Sequence, residues 1–309
     1  FLEETMGSMS VGTMFSLTGD VNLLSDGSIL DVVGEDFTNI LATNIVLHSQ
    51  NGSIGADGNA LDIETRGDSA AIGFGLLTAF AANDIFVTET VGNMSIRNVF
   101  STTGDVRLQA QNSIIDAVDV ETPSSTTTGD VTTSTQKLGV DVTGQKITLV
   151  TLAGTVGTAM NELDIDSGNS INGTVTVSSF SNTYLRQSGN MYINSIGVLS
   201  SDPTTTAFIT VIAGGILNGA LIAGASNVTS GRVFLSASQN IGTSTKSLES
   251  TVGVIQSVST NGDTYVHNTG ALSVTAFNSG VSGLGQSSGG ALHVVAESPI
   301  TIVSNATSV

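Results

Sequence analysis

The sequence contains no cysteine and no tryptophan, only three prolines in 309 residues, and 8 lysines and arginines against 26 aspartates and glutamates. Without cysteine there is no disulfide framework, no thiolate nucleophile and no Cys-ligated zinc. A formal net charge of −18 has the wrong sign for a phosphate backbone, so no nucleic acid is expected as a partner. The acidity is not that of a disordered chain, because 39% of residues are hydrophobic and can bury a core. No apolar run reaches the roughly 18 residues of a membrane span. The longest candidate, 207–225, is broken by Thr210, Gly214, Gly215, Asn218 and Gly219, so no membrane span is expected. The chain opens at Phe1, without an initiator Met or a basic leader and inside a repeated motif, so it reads as a piece of a longer polypeptide.

What is abundant is repetition. FLEETMGSMSV at 1–11 returns as FVTETVGNMSI at 86–96, and TGDVNLLSDGSILD at 18–31 returns as TGDVRLQAQNSIID at 103–116, both 85 residues later. A third motif runs SIGADGNALDIET at 53, TVGTAMNELDIDS at 155 and NIGTSTKSLESTV at 240. Within it Gly55, Gly157 and Gly242 stand six residues before Leu61, Leu163 and Leu248. Continuing the register, YLRQSGNMYI at 184 and YVHNTGALSV at 265 occupy the place of FVTETVGNMSI. The spacing divides the chain into a partial repeat 1–42 and long repeats 43–142, 143–230 and 231–309, with loop insertions expected near 122–136, 200–206 and 279–290.

Inside each long repeat, short runs alternate apolar and polar, as in Val106-Leu108-Ala110 or Val233-Leu235-Ala237, and end in Gly, Asn, Asp or Ser. Period two closed by turn residues predicts strands, not helices. Such a unit cannot bury its inward face alone, so it must stack on its neighbours. The expected fold is all-β, a single-stranded parallel β-helix (a β-solenoid), continuous over 1–309. At about 20 residues per coil it would have on the order of 15 coils, and a length of about 70 Å at the usual strand spacing. Pro123, Pro203 and Pro299 fall in or beside loops or at the edge of a run, where a missing N–H costs least. The pairs Gly19-Asp20, Gly104-Asp105, Gly129-Asp130 and Gly262-Asp263 each precede a run and read as turn chemistry.

The segments GDVRLQAQNSI, IGTSTKSL and NTYLRQSGNMYI resemble the repeat region of large bacterial exoproteins of the filamentous-haemagglutinin type. That resemblance covers nearly the whole chain through degenerate scaffolding motifs and carries no catalytic signature. It implies a right-handed winding, an extracellular or bacterial cell-surface location, and an adhesive or structural role within a giant polypeptide.

Parallel β-helices also carry polysaccharide lyases and hydrolases, so paired carboxylates deserve scrutiny. Asp62 with Glu64, and Asp164 with Asp166, lie on one strand face by the i, i+2 rule. Asp57, Asn59, Asp62, Asp164 and Asp166 are the candidate Ca²⁺ ligands, as oxygen donors on or beside turns. The third copy places Glu249 and Thr251 at this pair, and a catalytic pair seldom recurs along a scaffold, so outward solvated carboxylates are expected. No catalytic residue and no cofactor is assigned, and the protein is expected not to be an enzyme. Arg66, Arg97, Arg107, Arg186 and Arg232 read as scattered rim charges, and His48, His267 and His293 as surface or edge histidines without metal-ligand spacing. Several of the sequons at Asn51, Asn93, Asn172, Asn227 and Asn305 are expected by chance in so Asn-, Ser- and Thr-rich a chain, and they stand as hypothetical carbohydrate sites only.

The leading expectation is a structural, adhesive solenoid whose partners are copies of itself or neighbouring repeats. A module binding surface glycans through its loop insertions ranks second, although only Tyr184, Tyr192 and Tyr265 offer sugar-stacking tyrosines. A polysaccharide lyase or hydrolase ranks third.

Overall fold

Alternation dictates the secondary structure. Residues of a strand point to opposite faces in turn, so Ile85, Val87 and Glu89 of one run face inward while Phe86 and Thr88 face out. The same in-out pattern holds in Ile147–Thr151, Thr183–Gln187 and Thr264–Asn268. The computed structural model describes residues 1–34, 37–66, 75–117, 126–128, 131–133, 139–278, 283–286, 290–303 and 306–308. Among them there is no helix, and the chain is an all-β parallel β-solenoid of about 11 turns at about 24 residues per turn. The turns are longer than the 20 residues expected, and correspondingly fewer than 15. The finer sequence beat counts strand-to-strand spacing and passes over the excursions that the corners and insertions add.

Two compact units, Phe1–Ile165 and Asp166–Val309, are described separately. In the first, Val21–Ser25 pairs with Ile45–Ser49, which pairs with Leu77–Ala81, so that Leu23, Leu47 and Ala79 stack. A second face stacks Val87, Leu108 and Leu149 from Ile85–Glu89, Val106–Ala110 and Ile147–Thr151. In the second unit Leu185, Ile209 and Leu235 stack in the same way, as do Met191 and Ile216. These inward side chains are essentially solvent-free and form the core. Stacking one apolar residue on the next turn's equivalent is what turns a weak coil into a stable array.

The corners explain the polar composition. Ser28, Ser53, Asp84, Asp105 and Lys146 each donate a backbone N–H to a side-chain oxygen one turn earlier, those of Ser8, Ser28, Ser53, Asp84 and Asp105, at 2.8–3.2 Å. The second unit repeats the device: Asn190 and Gly215 donate to Asn169 and Asn190, and Asp263 and Ala291 to Asn240 and Asp263. Backbone groups at a corner lie outside the strand ladder and need such partners. Short oxygen-bearing side chains supply them, and proline, lacking N–H, would break the series. The Gly-Asp pairs therefore do more than turn the chain, since Asp20, Asp105 and Asp263 also accept from the next turn. Gly129-Asp130 lies outside the described residues.

Of the three expected insertions, 122–136 is described only as an antiparallel hairpin, Thr126–Thr128 with Val131–Thr133. In 200–206 the chain makes a tight turn, with Thr205 N–H on the Asp202 carbonyl and the exposed Asp202 carboxylate held below the usual range by the N–H and hydroxyl of Thr204. In 279–290, residues Leu284–Gln286 form a strand paired with Leu248–Ser259 and with Ala306–Ser308.

Candidate functional site

The Gly-x5-Leu motif turns out to be an outward hairpin set into a strand. Ile54 bridges Ile85, and Leu61 pairs with Val87, so two points flanking the motif face neighbouring inward residues of one strand. The residues between are expelled outward, closed by Ala56 N–H to Asn59 O and the reverse at 2.9 and 3.0 Å. Ile241 and Leu248 do the same opposite Thr264 and Val266, with Thr243 and Lys246 closing the tip. Both hairpins need glycine at the exit. Gly55 and Gly242 have φ of +67° and +65°, and a Cβ on either would lie 2.2 Å from the carbonyl oxygen of Phe86 or Tyr265. Gly157 has φ of +66° and donates its N–H to Ile114 O, as Gly55 does to Ile29 O and Gly242 to Ile216 O.

Beneath the first hairpin is a cavity of about 160 Å³. Its roof is the hairpin; its floor is the outward row of the next two turns, where Phe86 lies in register with Arg107 and Thr88 with Gln109. Asp62, at the hairpin's base and in register with Thr88, closes the back and is 4% exposed. At the mouth, Arg107 Nη1 is 3.9 Å from Asp57 Oδ1, both side chains being well exposed.

Three Ca²⁺ candidates thus converge here. Asp57 lies on the hairpin tip, and Asn59 and Asp62 line the cavity. Asn59 Nδ2 donates to the Asp31 carbonyl, and the Arg107 guanidinium stands beside Asp57. Asp164 and Asp166 belong to another stretch of chain, where the Asp166 carboxylate caps Gly168 N–H at 2.9 Å. Among the described residues no three His, Cys, Asp or Glu side chains are grouped to hold a metal ion. Asp62, Asp164 and Asp166 are not the outward solvated carboxylates expected from the sequence; all three are buried. For Asp62 the reason is the hairpin above it.

Two buried polar series escaped the sequence analysis. Asn39, Asp141 and Asn227 each exchange hydrogen bonds with the residue at the motif's second position, Asp62, Asp164 and Glu249, donating backbone N–H to its carbonyl and accepting its N–H on a side-chain oxygen. Asn227 is fully buried with its amide bonded to Ile193 O and Asn218, so its sequon is closed to glycosylation in the folded chain; Asn305 lies outside the described residues. The second series is Glu89, Gln187 and Asn268, one per long repeat, whose side-chain oxygens accept from the hydroxyls of Thr65, Ser167 and Ser250. Glu89 also takes the Thr65 N–H at 3.1 Å on both oxygens. Burial pushes its carboxyl up to about 8, with the neighbouring Glu64 adding to the shift and the Thr65 and Val91 bonds opposing it. A signal was available, because Glu89, Gln187 and Asn268 occupy one column of the aligned motifs.

His48 is buried, not at an edge, with its ring edge-on to Phe80 at 6.0 Å and its pKa lowered by that burial. His267 Nδ1 meets Glu249 Oε2 at 2.6 Å. Aromatic surface is richer than the tyrosine count implies. Tyr184, Phe208 and Phe234 stack from turn to turn at 4.7 and 6.0 Å, Phe277 closes on Phe208, and Arg232 lies 5.7 Å over Phe277. In that ladder Tyr184 and Phe208 cover each other's faces, whereas Phe234 is tilted against Phe208 and Phe277 meets it edge-on.

Fold and site together define a repeat scaffold, a parallel β-solenoid with a small polar cavity on its first unit. Comparison with family models, curated proteins and solved structures gives no match to this chain.

Proposed function

We propose that the chain is a structural, adhesive segment of a large extracellular or cell-surface bacterial protein of the filamentous-haemagglutinin type, associating with copies of itself or with neighbouring repeats. One observation carries this reading: buried and corner polar side chains recur from turn to turn as joints between turns. The corner ladder, the Asn39 series and the Glu89 series recur at equivalent places of successive long repeats and hold one turn on the next. The resemblance of the repeats adds the location. A net charge of −18 keeps copies apart at low ionic strength, so association strengthens with salt or divalent cations.

Electron microscopy of the purified chain across concentration and ionic strength tests the reading. Ordered filaments or sheets are expected, with adhesion of protein-coated beads to cells. Isolated particles under every condition, with no bead adhesion, would overturn it. A screen on acidic and neutral polysaccharides is expected to show no chain cleavage.

A further inference from the structure

The cavity under the Ala56–Asn59 hairpin belongs to neither the core nor the turn-joining devices. Its lining selects a chemistry by elimination. A metal cation is opposed by the guanidinium of Arg107 at the mouth. A phosphate or carboxylate is opposed by Asp57 at the mouth and Asp62 at the back. What remains is a neutral ligand that both donates and accepts hydrogen bonds. Asp62, Thr88 and Gln109 stand in one row across three turns, a carboxylate, a hydroxyl and an amide, spaced as neighbouring strands are, about 4.8 Å. Phe86, an outward residue of the same strand as Thr88, also lines the cavity. Size narrows the choice further: a cavity of about 150 Å³ holds a benzene-sized ligand, and drug-sized ligands occupy about 300–1,000 Å³. A site of this volume open to solvent therefore seats no more than one sugar ring, partly outside it.

We infer that this cavity binds a single neutral pyranose ring of a glycan, with its hydroxyls on Asp62, Thr88, Gln109 and Arg107 and its C–H face against Phe86. An exposed pair such as Arg107–Asp57 is worth little in water, so the guanidinium is free to turn to a ligand hydroxyl. The equivalent place under the Thr243–Lys246 hairpin carries different side chains. There Tyr265 and His293 lie ring to ring at 5.9 Å, and His267 is held by Glu249. The set Asp62, Thr88, Arg107 and Gln109 is therefore not shared by that repeat, where Glu249, His267, His293 and Val295 stand in the same register. The site differs from the loop-insertion surface expected from the sequence, and it does not depend on the chain forming filaments.

Saturation-transfer NMR and isothermal titration on the full chain test it, with methyl α-mannoside, methyl β-glucoside, methyl β-galactoside and methyl N-acetyl-β-glucosaminide as probes and methyl β-glucuronide and calcium chloride as charged comparators. At least one neutral glycoside is expected to bind one to one with a Kd on the order of 1 mM, as a small open site allows. Arg107→Ala and Gln109→Ala each weaken it at least about ten-fold while Arg97→Ala, on another strand, leaves it unchanged. Arg107 and Gln109 both point outward, and unchanged melting curves for their variants would show that the fold is intact. The inference is overturned if no neutral glycoside binds at about 50 mM, if binding survives both substitutions, or if glucuronide or calcium binds more tightly than every neutral probe. None of these results bears on the microscopy of the assembled protein, so the two readings fail separately.

Discussion

Strands Ile85–Glu89 and Thr264–Asn268 occupy the same position in two long repeats, and what they share and do not share separates scaffold from surface. Each lies under an outward hairpin at its start, and each ends in a buried polar side chain that reaches back to the hydroxyl of the preceding turn. Outward, they diverge: in one, Phe86 and Thr88 line a cavity, while in the other Tyr265 lies against His293 and His267 is held by Glu249. The inward and corner positions answer to stacking and hydrogen bonding, which leave little choice. The outward positions answer to solvent and are free to diverge, which is where a binding site can arise on a repeat scaffold.

The sharpest way to break the comparison is at the strand ends, where Glu89 stands for the neutral Gln187 and Asn268. Its carboxyl stays protonated in the fold up to about pH 8, whereas in the unfolded chain it ionises near its ordinary 4.5. Between those values the folded state holds a proton that the unfolded state has released, so stability falls as pH rises through this window and levels off above it. The full difference is on the order of 4–5 kcal/mol. Glu89→Gln should remove this loss: the variant is more stable than the parent by several kcal/mol at pH 8, and the two converge toward pH 4.5. Denaturant titrations of both proteins at several pH values check it, and parallel curves would refute it. Asn268→Asp is the reverse experiment. Asn268 also donates to the Val252 carbonyl, so the acid is expected to destabilise by about 3 kcal/mol or more at pH 8.

At the strand starts, Gly55 and Gly242 predict equal losses. Alanine at either meets both a positive φ and a carbonyl oxygen at 2.2 Å. A cost of at least about 2–3 kcal/mol is expected for each, since the φ alone accounts for about 1–2. Gly58, at the tip of the same hairpin, has φ of +76° with nothing near its missing Cβ. Gly58→Ala should therefore cost only the conformational part, about 1–2 kcal/mol. Chemical-denaturation midpoints of the three variants separate the two contributions, and a Gly58→Ala loss as large as that of Gly55→Ala would show that the close approach contributes nothing.

The inward row offers a gain. Thr264 is the counterpart of Ile85, fully buried, and its hydroxyl meets no hydrogen-bond partner among the described residues. Thr264→Val keeps the shape and removes a buried unpaired group, so it should stabilise by about 1–2 kcal/mol. An unchanged or lower unfolding midpoint would mean that the hydroxyl is satisfied.

The solenoid was legible in the sequence because stacking writes itself into composition and period: apolar alternation, Gly-rich corners and an 85-residue offset all follow from one turn resting on another. The Gly-x5-Leu motif was visible as a repeat, but not as a hairpin, because six residues expelled from a strand have the same spacing as six residues within one. The cavity could not be read at all. It requires Asp62, Phe86 and Arg107 to share one face, and their separations in sequence depend on the length of each turn, which the corners vary. Glu89, Gln187 and Asn268 were aligned yet unread, since alternation places them inward while their chemistry looks like surface. Burial of Asp62 was missed for a related reason: period two says which side of the strand a residue leaves, not what the chain later lays over it.

The smallest expected effect tests whether the corner ladder works by its oxygen or by its charge. Asp84 and Asn240 each accept the backbone N–H of the residue one turn on, Asp105 and Asp263, at 2.8 Å. If the oxygen is what matters, Asp84→Asn and Asn240→Asp should both fall within about 0.5 kcal/mol of the parent, while alanine at either position costs about 1 kcal/mol, the ordinary worth of one such bond. If charge were the agent, Asp84→Asn would lose as much as Asp84→Ala, and the loss would shrink in high salt. Because the residue types interchange along the ladder, Ser at 28 and 53, Asp at 84 and 105, Asn at 190 and 240, the oxygen account also requires Asp84→Ser to be tolerated. Unfolding midpoints for Asp84 replaced by Asn, Ser and Ala, read at low and high salt, decide between the two.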